Sequence, residues 1–179
     1  MKSIRSYLII AIVILGISVT SISAQTAGSS VLLENKVAKE LRKLPYYGVF
    51  DHIAFEVEGS TVTLYGKVLN GINKNAAEAY VEDIDGVTEV VNKIDLLPPS
   101  NFDDSIRRRT VRAFVNSGSI YRYLQGTNPS VRIIVEGGRM TLEGVVNSRS
   151  DVNFANIVAQ GVPGVFKVTN NLTVATERP

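Results

Sequence analysis

Residues 57–94 return at residues 135–172 with a constant offset of 78 and no gap. Val57-Glu58-Gly59 reappears as Val135-Glu136-Gly137, and Thr63-Leu64-x-Gly66-x-Val68 as Thr141-Leu142-x-Gly144-x-Val146. Asn75 and Ala77 match Asn153 and Ala155, and Gly86-Val87-x-x-Val90-x-Asn92 matches Gly164-Val165-x-x-Val168-x-Asn170. That makes 13 identities in 38 positions, where average residue usage gives roughly two or three by chance. The chain therefore has to fold as two copies of one small unit. A doubled unit without a catalytic cluster points to surface binding rather than chemistry.

The first 25 residues carry an address. Lys2 and Arg5 precede an apolar run from Tyr7 to Val19, followed by small polar residues ending Ser23-Ala24-Gln25. A basic start, a short apolar run and a small residue at the cut are the marks of a secretory signal peptide, expected to be cleaved after Ala24. The apolar stretch falls short of the roughly 20 residues that span a bilayer. The chain has no Cys, so neither disulfides nor a lipid-modified cysteine can hold the mature protein. The expected compartment is the periplasm, with peripheral membrane association open.

Charge divides the copies. Residues 34–99 hold 7 Lys/Arg against 11 Asp/Glu, and residues 100–179 hold 10 against 6. The copies could dock on each other electrostatically, or the second could face an anionic partner. Net charge alone does not choose.

Hydrophobic periodicity reads the same way in both halves. Val37, Leu41 and Leu44 predict a first helix stopped by Pro45; Ile53/Phe55/Val57 and Val62/Leu64/Gly66/Val68 alternate as a hairpin around Gly59-Ser60. Ala77, Tyr80, Val81 and Ile84 predict a second helix, and Val90, Asn92, Ile94 and Leu96 a third strand. The second copy matches with Ile106, Thr110, Ala113, Phe114 and Ser117, then Val131/Ile133/Val135 and Met140/Leu142/Val146. Ala155, Val158, Ala159 and Val162 follow, then Val168, Asn170, Leu172 and Val174. The expected fold is α+β: two tandem two-layer αββαβ domains, each a three-stranded mixed sheet packed against two helices. Expected boundaries are a signal peptide at 1–24, an N-terminal segment at 25–33, domains at 34–96 and 103–175, a stiff proline linker at 97–102, and a tail at 176–179.

The pattern V-x-G-x-x-(V/M)-T-L-x-G-x-V, then a helix, then G-V-x-x-V-x-N-x-(I/L)-x-(L/V), resembles the BON domain of bacterial osmotically induced and nodulation proteins. Residues 57–68 and 86–96 carry it first, and residues 135–146 and 164–174 repeat it. The resemblance implies a periplasmic, often paired, non-enzymatic module. It would bind phospholipid surfaces and support envelope integrity in a stress-response setting, or contact membrane-associated partners. The stretch Ser119–Ser130 is longer than in common members.

Candidate contacts follow from the residues. Arg108, Arg109 and Arg112 fall within about 100° of helical arc, with Arg107 at the first turn. Such a face suits lipid phosphates, because Arg forks their oxygens while its stem lies on apolar surface; a solvated face is the competing reading. With Phe114, Tyr121 and Tyr123, these arginines form the candidate lipid-binding set. Arg122 and the matching Tyr46, Tyr47 and Phe50 make aromatic-rich loops that sit at a membrane interface or close a core. Asp103 and Asp104 suit the start of the helix.

Gly66 and Gly144 in mid-strand, Gly86 and Gly164 past a helix, and Asn92 and Asn170 on the last strand are expected to be framework. The strand glycines would allow a tight helix crossing, Gly86 and Gly164 would end helices at positive φ, and the asparagines would satisfy backbone groups in the preceding turn.

Catalysis is not expected. His52 is the only histidine, and Asp51 beside it on a strand would face the other way. No cofactor or metal is expected, because no phosphate loop or ligand cluster is present. Two function classes remain: a binder of anionic phospholipid surfaces, and a periplasmic protein-interaction or chaperone-like module. Nucleic acid is not an expected partner, since an exported protein rarely meets it, and the sequence leaves the oligomeric state open.

Overall fold

The computed structural model describes residues 22–175. The proposed signal segment through Ser21 and the tail from Thr176 lie outside the described residues. Among the described residues, no helix is long and apolar enough to cross a membrane.

The first domain runs α1 (Ile22–Leu41), β1 (His52–Glu58), β2 (Thr61–Val68), α2 (Gly71–Glu82), β3 (Glu89–Leu96); the second runs α3 (Asn101–Asn116), β4 (Val131–Glu136), β5 (Arg139–Val146), α4 (Arg149–Gln160), β6 (Lys167–Val174). Each sheet has its hairpin partner in the centre, with orders β1-β2-β3 and β4-β5-β6. The hairpins are antiparallel, and the final strand joins parallel after the helical crossover. This is the expected mixed-sheet α+β fold, twice. α1 ends at Leu41, earlier than Pro45 suggested; Leu44 is buried in the turn that follows.

Two separate cores match the two periodicities. Val37, Leu41, Val62, Leu64, Val81 and Ile94 centre the first, and Leu33 joins them. Ile106, Phe114, Ile133, Met140, Leu142 and Ala155 centre the second. The connection between them is short: Leu97 is buried and donates its N–H to Val68 O at 2.8 Å, and Ser100 caps α3.

The framework asparagines tie strand to helix, one step further than expected. Asn92 Nδ2 donates to Lys74 O (3.0 Å) and Asn170 Nδ2 to Val152 O (2.9 Å), equivalent carbonyls in the second helix of each copy. Gly66 and Gly144 are confined by a strand, not a helix. A Cβ on Gly66 would lie 2.1 Å from His52 O, and one on Gly144 2.0 Å from Ser130 O. Gly86 and Gly164 have positive φ (105° and 92°), but α2 and α4 are capped earlier, at Asp83 and Gly161. These glycines shape the turn into the last strand.

The seam between the copies is built from β4 and residues 47–50. Ile133 N donates to Val49 O at 2.7 Å, which covers part of an otherwise open strand edge. Val49 and Phe50 pack against the second core, and the Arg132 guanidinium stacks 4.2 Å over the Tyr47 ring. Tyr47 and Phe50 therefore belong to this seam. Lys67 pairs with Glu136 across it, a basic residue of the acidic copy meeting an acidic residue of the basic one. This pair runs against the net charges of the two copies, whereas Arg132 of the basic copy and Asp51 of the acidic one interact in line with them.

Candidate functional site

The outer face of α3 gathers three exposed arginines of the second copy, Arg108, Arg109 and Arg112. Ser100 accepts from Asp103 N (3.2 Å), while the Asp103 carboxylate accepts from Gly137 N (2.9 Å) and Gly138 N (2.8 Å). The first turn of α3 is thus pinned to the β4–β5 hairpin, which fixes where the face points. Ser100 is the cap, and Asp103 works as a clamp on the hairpin. Arg108 Nη2 donates to Ser105 Oγ (3.2 Å), and Arg109 Nη1 donates to Pro163 O (2.6 Å) beyond the end of α4. Ser105, Arg108, Arg109 and Arg112 line a shallow depression of about 200 Å³.

Three members of the expected lipid-binding set are buried, and this corrects their assignment. Phe114 has no exposed surface and sits in the second core. Arg107 is 3% exposed; its Nη1 donates to Asp104 Oδ1 (2.6 Å) and its Nη2 to Val135 O (2.5 Å), so its guanidinium is used inside the domain. Tyr123 closes the core from a 3-10 turn at Tyr121–Leu124; its hydroxyl donates to Asp151 Oδ2 (2.9 Å) and accepts from Asn147 N (3.0 Å). That hydroxyl orders the entry to α4, and Arg122 stacks on the same ring at 4.8 Å. Arg108, Arg109, Arg112 and Tyr121 remain at the surface. Arg109 is only partly available. Its bond to Pro163 O repeats one in the first copy, where Lys36 Nζ donates to Asp85 O (3.2 Å), so it also has a framework role.

Sequence reasoning missed Phe102 and Phe166. Their rings stack with centroids 5.9 Å apart at 23°, yet the residues remain 45% and 77% exposed. Gly138 leaves room for them: a Cβ there would meet Phe166 Cδ2 at 2.5 Å. On α3, Phe102, Ser105, Arg109 and Arg112 fall within about 80° of arc, with Arg108 some 40° further round. An aromatic knuckle therefore continues into a basic stripe. The signal was present in the repeat. Where the second copy has Gly138 and Phe166, the first has Ser60 and Thr88, whose hydroxyls bond at 2.7 Å. The second copy has given up a polar pair for an exposed aromatic one.

Two buried carboxylates make this domain sensitive to acid. Burial works to raise the Asp103 pKa, but the N–H bonds from Gly138 and Gly137, the Ser100 bond and Arg107 hold it below the usual range. The Ser148 hydroxyl lowers Asp151, against burial and with help from Tyr123 and Arg122. Both are depressed in the folded state, so their stabilisation is complete above the unfolded value near about 4 and fades as pH falls through the folded values. The first copy has Asn73 in place of Asp151. Urea midpoints followed by domain-resolved NMR should fall more steeply for the second domain between about pH 5 and pH 3. Equal slopes would contradict these bonds.

Asp51 and His52 do not pair. Asp51 accepts from Leu69 N (2.7 Å) and Gly48 N (2.9 Å). His52 is lowered by burial, with Glu143 raising and Arg132 lowering it. Among the described residues, no group of three or more His, Cys, Asp or Glu is placed to hold a metal ion.

No curated protein sequence matches the chain. Two solved structures of CdsD, a structural protein of the type III secretion system of Chlamydia trachomatis, superpose with a TM-score of 0.31 each. One is its C-terminal domain, at 12% identity over 79% of this chain and 96% of the other; the second is at 14% over 81% and 94%. At those scores neither superposition carries an argument about this chain. The sequence profile of the BON domain matches residues 29–98 and again 103–176. With the repeat, the two cores and both sheets in agreement, this chain belongs to the BON domain family and carries two tandem copies.

Proposed function

We propose that this is a non-enzymatic envelope protein whose second BON domain binds the surface of anionic phospholipid membranes and so supports envelope integrity. The observation that carries the reading is the exposed Phe102–Phe166 pair continuous with Arg108, Arg109 and Arg112. Exposed rings can enter the headgroup boundary while guanidinium forks hold phosphate oxygens. Each basic residue near an anionic surface contributes about 1 kcal/mol, so three give attachment that is weak and salt-sensitive. The first copy lacks the aromatic pair and carries the acidic excess, so it faces away. The expected signal segment supports a periplasmic location.

Co-sedimentation with liposomes tests this. The protein should bind anionic but not zwitterionic vesicles, and less at physiological than at low salt. Arg108→Gln with Arg112→Gln should weaken binding roughly thirtyfold, the loss of two such contributions. Binding indifferent to lipid charge would overturn the reading and favour a protein partner.

A further inference from the structure

Arg132 is 5% exposed and has no carboxylate within salt-bridge distance among the described residues. Its Nη1 donates to Gly48 O (2.6 Å) and its Nη2 to Asn128 Oδ1 (2.5 Å), both neutral acceptors. The residue opposite it on β5, Glu143, accepts instead from Asn171 Nδ2 at 2.6 Å. Asp51 of the first copy acts on it electrostatically but forms no ion pair with it, and a buried cation with no contacting counter-ion is costly. In the first copy, Ala54 stands at this position.

Arg132 lines an open cleft of about 340 Å³ between the two copies, and Arg42 at its rim is exposed. Leu41, Ile53, Phe55 and Val145 supply apolar wall from both domains, and no Asp or Glu contributes. Small-molecule sites favour domain interfaces and combine mostly apolar walls with a few placed polar groups. The volume is near the lower end of their usual range of about 300–1,000 Å³, which suits one aliphatic chain rather than two.

We propose that this cleft binds a single-chain anionic amphiphile, its head on Arg132 and Arg42 and its chain along Leu41, Ile53, Phe55 and Val145. Carboxylate and phosphate heads share the required chemistry, since the Arg132 fork accepts either. The site is separate from the α3 face, so either can fail without the other. Occupancy would tie ligand binding to the seam, because the same guanidinium holds Tyr47 and Gly48.

The test follows backbone amide shifts of Ile53 and Val145 and the Arg132 Nε signal in the whole protein. Probes are decanoate, decyl phosphate, decyltrimethylammonium and acetate, all below micelle formation. Decanoate and decyl phosphate should give saturable shifts at the cleft, their ratio reporting which head is preferred. Acetate should bind at least tenfold more weakly. Decyltrimethylammonium should leave these signals unchanged. Arg42→Gln, at an exposed position, should weaken decanoate at least threefold, and Arg132→Lys tenfold or more. The proposal is overturned if the cationic probe shifts the same signals equally. It is equally overturned if both variants bind decanoate as the parent does, or if shifts appear only along α3.

Discussion

Gly144→Ala should unfold the second domain or lower its Tm by at least about 10 °C. Gly144 has φ 119°, and an added Cβ would lie 2.0 Å from Ser130 O and 3.2 Å from Val131 Cα. Those atoms are backbone at the start of the neighbouring strand, so no rotamer change can make room. Strain at such a φ costs on the order of 1–3 kcal/mol, and overpacking typically adds another 1–3 kcal/mol. Stability of roughly 0.05–0.15 kcal/mol per residue leaves a 75-residue domain only about 4–11 kcal/mol. Gly66→Ala should do the same to the first domain, where His52 O would lie at 2.1 Å. Gly59→Asn is the control. Gly59 also has positive φ (63°) but nothing within 4 Å of an added Cβ, and Asn tolerates that region. Thermal unfolding of the three variants should separate sharply. If Gly144→Ala melts with the Gly59 variant, the close approach of strand backbones is wrong.

The second large effect concerns a residue that stands both on the apolar face of α3 and among the expected lipid contacts. Phe114→Ala should destabilise the second domain by about 3–5 kcal/mol, as deletion of a fully buried ring does. Arg112→Ala, two residues earlier and exposed, should stay within about 0.5 kcal/mol. Urea titration without lipid distinguishes them. A Phe114→Ala protein of parental stability that had lost liposome binding would return Phe114 to the membrane and refute its place in the core.

The fold was legible because the same pattern of apolar spacing is written twice, and each instance supports the other. The site was legible only in part. Periodicity assigns α3 a buried face through Ile106, Thr110 and Phe114, but it does not follow a long side chain. Arg107 is adjacent to that face, and its stem carries the guanidinium inward to Val135 O. Phe102 and Phe166 are far apart in the chain and meet only once α3 and β6 flank the hairpin turn. Arg132 occupies an alternating strand position that reads as solvent-facing. The first copy covers it, and nothing local to β4 announces that cover.

Both copies carry basic residues along the first helix, Lys36 and Lys39 in α1 with Lys43 in the turn just after it, and Arg108, Arg109 and Arg112 in α3. Among the described residues, only the second joins its stripe to a stacked, exposed aromatic pair. Paired reversals tell the two helices apart: Arg108→Glu/Arg112→Glu against Lys39→Glu/Lys43→Glu, each titrated with anionic vesicles at low salt. The α3 reversal should abolish binding while the Lys39/Lys43 reversal leaves it within about twofold, a difference of less than roughly 0.5 kcal/mol. Equal losses from both, or loss from the Lys39/Lys43 reversal alone, would contradict binding through α3.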